Sequence, residues 1–350
     1  MERNLQRDKL NFGNGKIGVL FRAMFFPTLI AMIFNSALTV IDGIFVGHGV
    51  GADGIAAVNI VAPIFMFATG IGLMFGIGSS VVASIRLAEN NVKAARIIMT
   101  QAFIVGLVII GLICTLSLVF PDSLLELLGC SESLKDNALD YLLWLVPGLL
   151  FLYMECVGMM LIRLDGSPKF AMLVQIVAAV VNIGLDWYMI FPLEWGVMGA
   201  ALATSIACAS GGMMVLVYFS WFHDKLRFYR LKMSVTSMFL TLRNTGYMTK
   251  IGFATFLTEL AMGVMMMTGN YMFIRYLGEN GVAAYAVACY LFPLVFSISN
   301  AVAQSAQPII SFNHGLHDGG RVNRTLRISL LPPSSVELLS PCVCGLAHLG

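Results

Sequence analysis

Residues 20–46 read LFRAMFFPTLIAMIFNSALTVIDGIFV, and this stretch decides the class of fold. About 20 consecutive apolar residues suffice to cross the hydrocarbon core of a bilayer as a helix, and this stretch is longer. Beyond Arg22 it carries one ionisable side chain, Asp42. A charged residue at the centre of such a helix costs about 2.5–3.5 kcal/mol, so Asp42 needs either a function or a buried partner.

The composition of the whole chain agrees with a membrane protein. Of the 350 residues, 58% are hydrophobic and 11% are charged, whereas about 25% of the residues in a soluble domain are charged. The mean hydropathy is +0.85. The net charge of +2 gives no indication of nucleic-acid binding, and the seven cysteines contain no CxxC pair that would indicate a metal site.

Eight apolar runs are long enough to span a membrane, and turn or charge clusters separate them. None shows the alternation of a membrane β-barrel, so we predict an all-α integral membrane protein. The predicted spans are 20–46, 55–85, 97–120, 138–162, 169–191, 197–221, 251–274 and 282–311.

The basic residues predict the orientation of these spans. With the N-terminus in the cytoplasm, 19 Lys and Arg fall in inner segments and only Lys135 and Arg275 fall in outer loops. Such a bias is the expected result of the positive-inside rule. The predicted units are a cytoplasmic segment 1–19, a first lobe 20–221, a basic cytoplasmic linker 222–250, a partial second lobe 251–330 and an aberrant tail 331–350.

An internal repeat supports the division into two lobes. GADGIAAVNIVAPIF (51–65) resembles GENGVAAYAVACYLF (278–292), with matches at a constant offset of 227 residues. Both copies begin on the outer side, so the repeat is parallel, as in transporters whose halves enclose a central site.

Within the helix of the first copy, GIGLMFGIG (70–78) resembles a phosphate loop but has no preceding strand. We therefore interpret its small residues as a site of close helix packing.

Polar residues of three spans are predicted to lie at the same depth. At 1.5 Å per residue, Asp42, Asp186 and Thr204 all fall in the outer half of the first lobe, and Asn182 lies one turn below Asp186. Two carboxylates brought together in lipid cannot easily both ionise, and oxygen-rich groups suit a proton or Na+. The alternative is that Asp42 only hydrogen-bonds a neighbouring helix.

Other residues in the spans are weaker candidates. Glu259 lies near mid-membrane and is the natural ionic site of the second lobe. Glu155 lies in the inner half of its span, where functional and structural interpretations are equally open, and Tyr141 is a further candidate for the cavity. Pro27 is placed to bend the first helix.

These motifs, in this order, resemble the multidrug and toxic compound extrusion (MATE) family, DinF-like bacterial type, over about residues 10–330. Segment 20–63 is similar to the family's first two helices. RLDGSPKFAM, NIGLDWYMIF and GVMGAALAT look like its fourth-to-fifth helix region and its sixth helix, and FLTEL and LGENGVAAYAV look like its seventh and eighth.

The resemblance implies two six-helix bundles around a central cavity, in a bacterial cytoplasmic membrane, exporting amphipathic and often cationic compounds in exchange for H+ or Na+. It implies no cofactor, no nucleic acid and no oligomer. It places Asp42, Asn182, Asp186 and Thr204 in the cation-coupled network, with Na+ possible at the first three, and it matches Glu259 to the seventh-helix cation carrier of some branches.

Two other function classes are disfavoured by the sequence. A membrane-embedded transferase would need paired carboxylates for a metal and diphosphate, and no DxxD or HExxH motif occurs. A lipid-linked saccharide flippase of the same superfamily is expected to line its cavity with cationic residues. The interiors of the spans carry four acids and no Lys or Arg, which favours drug or metabolite export.

The end of the chain changes in character. RVNRTLRISL (321–330) reads as the basic start of a ninth helix, whereas LPPSSVELLSPCVCGLAHLG (331–350) has paired prolines and no long apolar run. We expect a truncated or frame-shifted product whose tail has no stable fold and which does not transport. Re-sequencing of the locus, in search of four further apolar spans downstream, tests this expectation.

The predicted orientation can be tested by cysteine labelling in intact cells. A cysteine introduced in the loop 131–137 should react with a membrane-impermeant thiol reagent, because this loop is predicted to lie outside. A cysteine introduced at 225–232 should react only after the cells are opened. The reverse pattern would overturn the orientation and the depth argument built on it.

Overall fold

The computed structural model describes residues 10–231 and 234–330; within these ranges the side chains of 236, 279, 280, 282, 283, 286–288 and 290–296 are left out of the description. The described residues form helices and no strand, which confirms the predicted all-α class. The helices are α1 Ile17–Gly49, α2 Ala52–Ala88, α3 Val92–Val119, α4 Pro121–Leu127, α5 Lys135–Leu145, α6 Gly148–Leu164, α7 Pro168–Ile190, α8 Gly196–Val217, α9 Val235–Gly315 and α10 Gly319–Leu330.

Six of the described helices are long and apolar enough to cross a membrane, and a bent pair would make a seventh. The bent pair is α5 and α6, which meet at an angle of 52°. The predicted span 138–162 corresponds to this bent pair, so the span is broken and not one continuous helix. Pro147 lies at the junction; it has no N–H to donate to the preceding turn, and its ring clashes with that turn, so the helix bends there.

Helix α9 combines the predicted seventh and eighth spans and breaks at Gly278, where φ is 67° and ψ is −162°. Gly51, which precedes α2, has φ 94° and ψ −167°. These two glycines are 227 residues apart, so the backbone repeats the conformation as well as the sequence. Only glycine adopts such angles without strain. Because α9 begins at Val235, the irregular part of the linker is shorter than the predicted 222–250.

Glycines of α2 let this helix approach two neighbours closely. A Cβ on Gly72 or Gly76 would press against Cys156 of α6, and a Cβ on Gly78 would overlap the carbonyl oxygen of Met248 in α9. Gly70 lies against Glu259 of α9 in the same way. The interpretation of residues 70–78 as a close-packing segment is thereby confirmed.

The two repeats meet at the ends that the basic residues predict to be cytoplasmic; "inner" and "outer" below refer to this predicted orientation. The Ser80 hydroxyl and the Gln307 side chain, which are equivalent positions 227 residues apart, lie 3.4 Å from each other. Equivalent residues can touch only where they lie close to the axis that relates the repeats, so this contact marks that axis. The predicted start of a ninth helix, 321–330, is confirmed as part of α10. Arg321 of this helix donates hydrogen bonds to the carbonyls of Phe12 and Gly15 and so connects α10 to the N-terminal segment.

Arg163 lies inside this inner contact and not in a loop. Its side chain is 1% exposed, and its Nη1 donates to Gln304 Oε1 at 2.5 Å. Its Nε and Nη2 have no partner in the part of the chain that the structure describes. The predicted span ended at residue 162 and so placed Arg163 in an inner loop, but α6 continues to Leu164 and buries this cation.

Asp165 holds the start of the linker. Its carboxylate accepts hydrogen bonds from the backbone N–H groups of Asp224, Lys225 and Leu226 and from the Tyr218 hydroxyl. Burial raises the pKa of Asp165, while these four donors stabilise its charged form and oppose that shift. The carboxylate thus fixes the linker against the inner end of the first lobe.

The predicted aberrant tail, 331–350, lies outside the described residues.

The contact between Arg163 and Gln304 predicts a coupling between the repeats. Gln304→Ala would leave the guanidinium without its partner and lower the free energy of unfolding by about 1–3 kcal/mol. In an Arg163→Met background the same substitution should have little effect, because no buried charge remains. Denaturant unfolding in detergent measures both. Gln175→Ala is the control, since Gln175 Oε1 has no partner in the described structure. Equal effects of Gln304→Ala on the free energy of unfolding in both backgrounds would contradict the coupling.

Candidate functional site

Asp42 and Asp186 face each other across the contact between α1 and α7. These helices pack along one another, and the two carboxyl groups lie within hydrogen-bonding reach. Asp186 is fully buried, with 0% exposure. Asp42 Oδ1 and both oxygens of Asp186 are enclosed and receive no hydrogen bond from the described residues. The predicted proximity of the two acids is thus observed.

Close packing shields the outer side of the acidic pair. A Cβ on Gly49 would overlap Ile190, so α1 and α7 are in direct contact at their outer ends. The rings of Phe45 and Phe191 meet edge to face, with centroids 5.7 Å apart. Along α1 these contacts lie about one and two turns beyond Asp42, and along α7 they lie about one turn beyond Asp186. Apolar surface therefore separates the pair from the outer ends of α1 and α7.

Asn182 and Thr204 extend the polar group toward the interior. Asn182 is buried, and its Nδ2 donates to Thr204 Oγ1 of α8 at 3.5 Å. Asn182 lies one turn below Asp186 on the same face of α7. Three helices therefore contribute to one polar cluster, which we call the α1–α7–α8 cluster, made of Asp42, Asn182, Asp186 and Thr204.

The chemistry of this cluster follows from its donors and acceptors. Two carboxyl groups that face each other in a low-dielectric setting repel when both are charged, and here no N–H or O–H of the described residues reaches three of their four oxygens. A proton held between them, or a small cation bound to them, removes the repulsion. Carboxylate, amide and hydroxyl oxygens are ligands for hard cations. Among the described residues, no three His, Cys, Asp or Glu side chains form a metal-binding group.

Glu259 and Glu155 lie at other helix contacts. Glu259 packs against Gly70 at the contact of α9 with α2, and Glu155 of α6 lies against Gly211 of α8, where a Cβ would overlap its carboxyl group. The structure therefore does not add either glutamate to the α1–α7–α8 cluster. Tyr141 is buried in the core, with 6% exposure. Helix α1 runs through Pro27 without interruption, and Pro27 is buried.

A second buried polar pair was missed from the sequence. Asn59 Nδ2 donates to Asn270 Oδ1 at 2.5 Å, and Asn270 Nδ2 donates to the Asn59 carbonyl at 3.1 Å. These bonds join the outer part of α2 to α9 across the boundary between the lobes. Each asparagine interrupts an apolar stretch, so the sequence did carry a signal for this pair.

Known sequences resemble this chain over most of its length. The MatE family model matches residues 27–188. Multidrug export protein MepA of Staphylococcus haemolyticus is 27% identical over 316 residues, which cover 89% of this chain and 68% of that protein. MepA of Staphylococcus aureus strain MSSA476 is 25% identical over 308 residues, covering 86% and 66%. The chain spans about two thirds of the length of these relatives.

Solved structures resemble it as well. The MATE multidrug transporter DinF-BH, solved as a complex with a ligand, superposes with a TM-score of 0.82 at 27% identity, covering 92% of this chain and 72% of that one. An outward-facing MATE transporter of the MOP superfamily superposes with a TM-score of 0.79 at 22% identity, covering 94% and 71%, which shows the fold alone. The described part of this chain therefore has the helix arrangement of the MATE transporters.

Proposed function

We propose that this chain, which belongs to the MATE family of membrane transporters, works as an exporter of drugs or metabolites driven by H+ or Na+ antiport. The observation that carries the proposal is the facing pair of Asp42 and Asp186, whose enclosed oxygens lack protein donors. Such a pair takes up a proton or a cation to remain buried and gives it up when it becomes hydrated.

Antiport follows if the ion and the exported compound stabilise different conformations. Loading the α1–α7–α8 cluster with an ion favours tight packing of α1 on α7, and discharging it favours a hydrated, opened arrangement. The two parallel repeats supply the moving parts, since halves of this kind rock about an axis along the membrane normal. The Ser80–Gln307 and Arg163–Gln304 contacts close the inner side in the conformation described.

The exported compounds are proposed to be amphipathic and cationic. Four acidic residues lie within the apolar spans, at positions 42, 155, 186 and 259, and negative charge in the spans favours the passage of cations over that of anions. The relatives named above are multidrug exporters. We place the protein in a bacterial cytoplasmic membrane with its N-terminus inside, on the distribution of its basic residues. It would act as a monomer, without a cofactor.

Transport in proteoliposomes tests this function. A fluorescent lipophilic cation is the substrate. The pH and Na+ gradients are imposed separately, both on the 350-residue chain and on a version of it that carries a complete second lobe, called the parent. In the parent, Asp42→Asn should reduce gradient-driven efflux to the level of protein-free vesicles. The amide keeps the shape and the hydrogen-bonding capacity of the carboxyl group but cannot ionise.

The matched control for this substitution is Asp53→Asn. Asp53 is an exposed carboxylate in the first turn of α2, at the same membrane face by our orientation, so the variant loses the same charge outside the cluster. It should transport at the unsubstituted rate. Gradient-driven efflux by Asp42→Asn equal to that of Asp53→Asn would reject the proposal.

A further inference from the structure

A basic cavity lies between the start of α3, the linker and the start of α9. Its volume is about 430 Å³, which is within the range of small-ligand sites. Among the residues that the structure describes, four cationic side chains and no acid line it. The four are Arg86, Lys93, Arg230 and Arg243.

Three of these cations are available to an anion. Arg86 already pairs with Glu89, at 2.8 Å. Lys93, Arg230 and Arg243 are exposed, and the Lys93 ammonium lies 5.9 Å above the ring of Tyr229. Three positive charges around one concave space attract an anion more strongly than they would on a flat surface.

Two helix N-termini point into the same cavity. Asn91 caps α3 by accepting from the Ala94 N–H, and Ser234 caps α9 by accepting from the Ser237 N–H. All four of these residues line the cavity. The positive ends of two helix dipoles therefore add to the side-chain charges, and such termini bind phosphate groups.

The walls of the cavity are held in place by hydrogen bonds. Gln101 is 1% exposed; its amide donates to Thr241 of α9 and accepts from Asn244 Nδ2, both at 2.8 Å. The linker is held by the Tyr229 N–H, which donates to Thr100 Oγ1, and by Arg96, which donates to the Lys225 carbonyl. The segments that carry the cations are therefore held together before any ligand arrives, which lowers the cost of binding.

Apolar side chains complete the cavity on its membrane side. Ile97, Ile98 and Leu240 line it. Met238 and Phe239, which lie between the lining residues Ser237 and Leu240 in sequence, are 74% and 67% exposed, as expected for residues that face lipid. The cavity thus combines a phosphate-attracting part with an apolar part at the inner membrane surface predicted from the basic residues.

We propose that this cavity binds the phosphate-bearing head group of an anionic membrane lipid. The apolar rim favours a lipid over free inorganic phosphate, because the acyl chains can lie against it while the phosphate meets the cations. Binding there would link α3, the linker and α9, and so join the first lobe to the second. The proposal does not depend on ion-coupled export.

Native mass spectrometry of the purified 350-residue chain in detergent tests the proposal. Phosphatidylglycerol, phosphatidylcholine and inorganic phosphate are added in separate arms. Phosphatidylglycerol should remain bound at mild activation, and neither of the other two should replace it. The Lys93→Gln, Arg243→Gln double variant should bind phosphatidylglycerol at least about tenfold more weakly than the unsubstituted chain, since each cation near an anionic head group contributes to binding.

The control is Arg324→Gln, Arg327→Gln, which removes two exposed charges of α10 on the same membrane side and should bind phosphatidylglycerol as the unsubstituted chain does. Circular dichroism checks that both variants keep their helix content. Equal binding by the two double variants, or equal retention of phosphatidylcholine, would overturn the site. Retention of inorganic phosphate without phosphatidylglycerol would overturn the lipid as its ligand.

Discussion

Two carboxyl groups that face each other inside a membrane protein cannot both stay charged without a compensating ion. Asp42 and Asp186 meet this condition, because their enclosed oxygens receive no hydrogen bond from the described chain. The surrounding structure strengthens the constraint. Gly49 allows α1 to touch Ile190, and the rings of Phe45 and Phe191 meet beyond the pair along the same helices. Water reaches the three enclosed oxygens only if α1 and α7 separate, and this ties the charge state of the pair to helix packing.

Contacts in the rest of the fold connect the packing of α1 on α7 to the arrangement of the two lobes. Helix α2 touches α6 on one side and both parts of α9 on the other, through glycines that bring backbones together. Asn59 and Asn270 join the lobes toward the outer side, and Arg163 and Gln304 join them at the inner side. Polar bonds of this kind have discrete partners, so they suit an interface with two alternative arrangements.

Much of this could be predicted from the sequence, because the physical causes are local. Apolar runs longer than a bilayer crossing predict helices, and a fixed rise per residue placed Asp42, Asn182, Asp186 and Thr204 at one depth. The repeat with an offset of 227 predicted that Gly51 and Gly278 occupy equivalent positions, and their backbone angles agree.

What the sequence did not predict depends on tertiary partners. Asp165 looks like an ordinary loop carboxylate until the linker folds back and donates three N–H groups to it. Arg163 was assigned to a loop because the end of a helix is uncertain by a residue or two, and here two residues decide whether a cation is buried. The bend at Pro147 could have been predicted, because a proline inside a helical span bends the helix.

Infrared difference spectroscopy of the chain in lipid tests the central claim most directly. The account predicts a protonated-carboxyl band that is lost in alkaline buffer or on addition of Na+ and is missing from both Asp42→Asn and Asp186→Asn, because the pair titrates as one unit. The band should persist when both Glu155 and Glu259 are replaced by glutamine. A band that survives in the Asp42→Asn, Asp186→Asn double variant would contradict the claim that this pair holds the exchangeable ion.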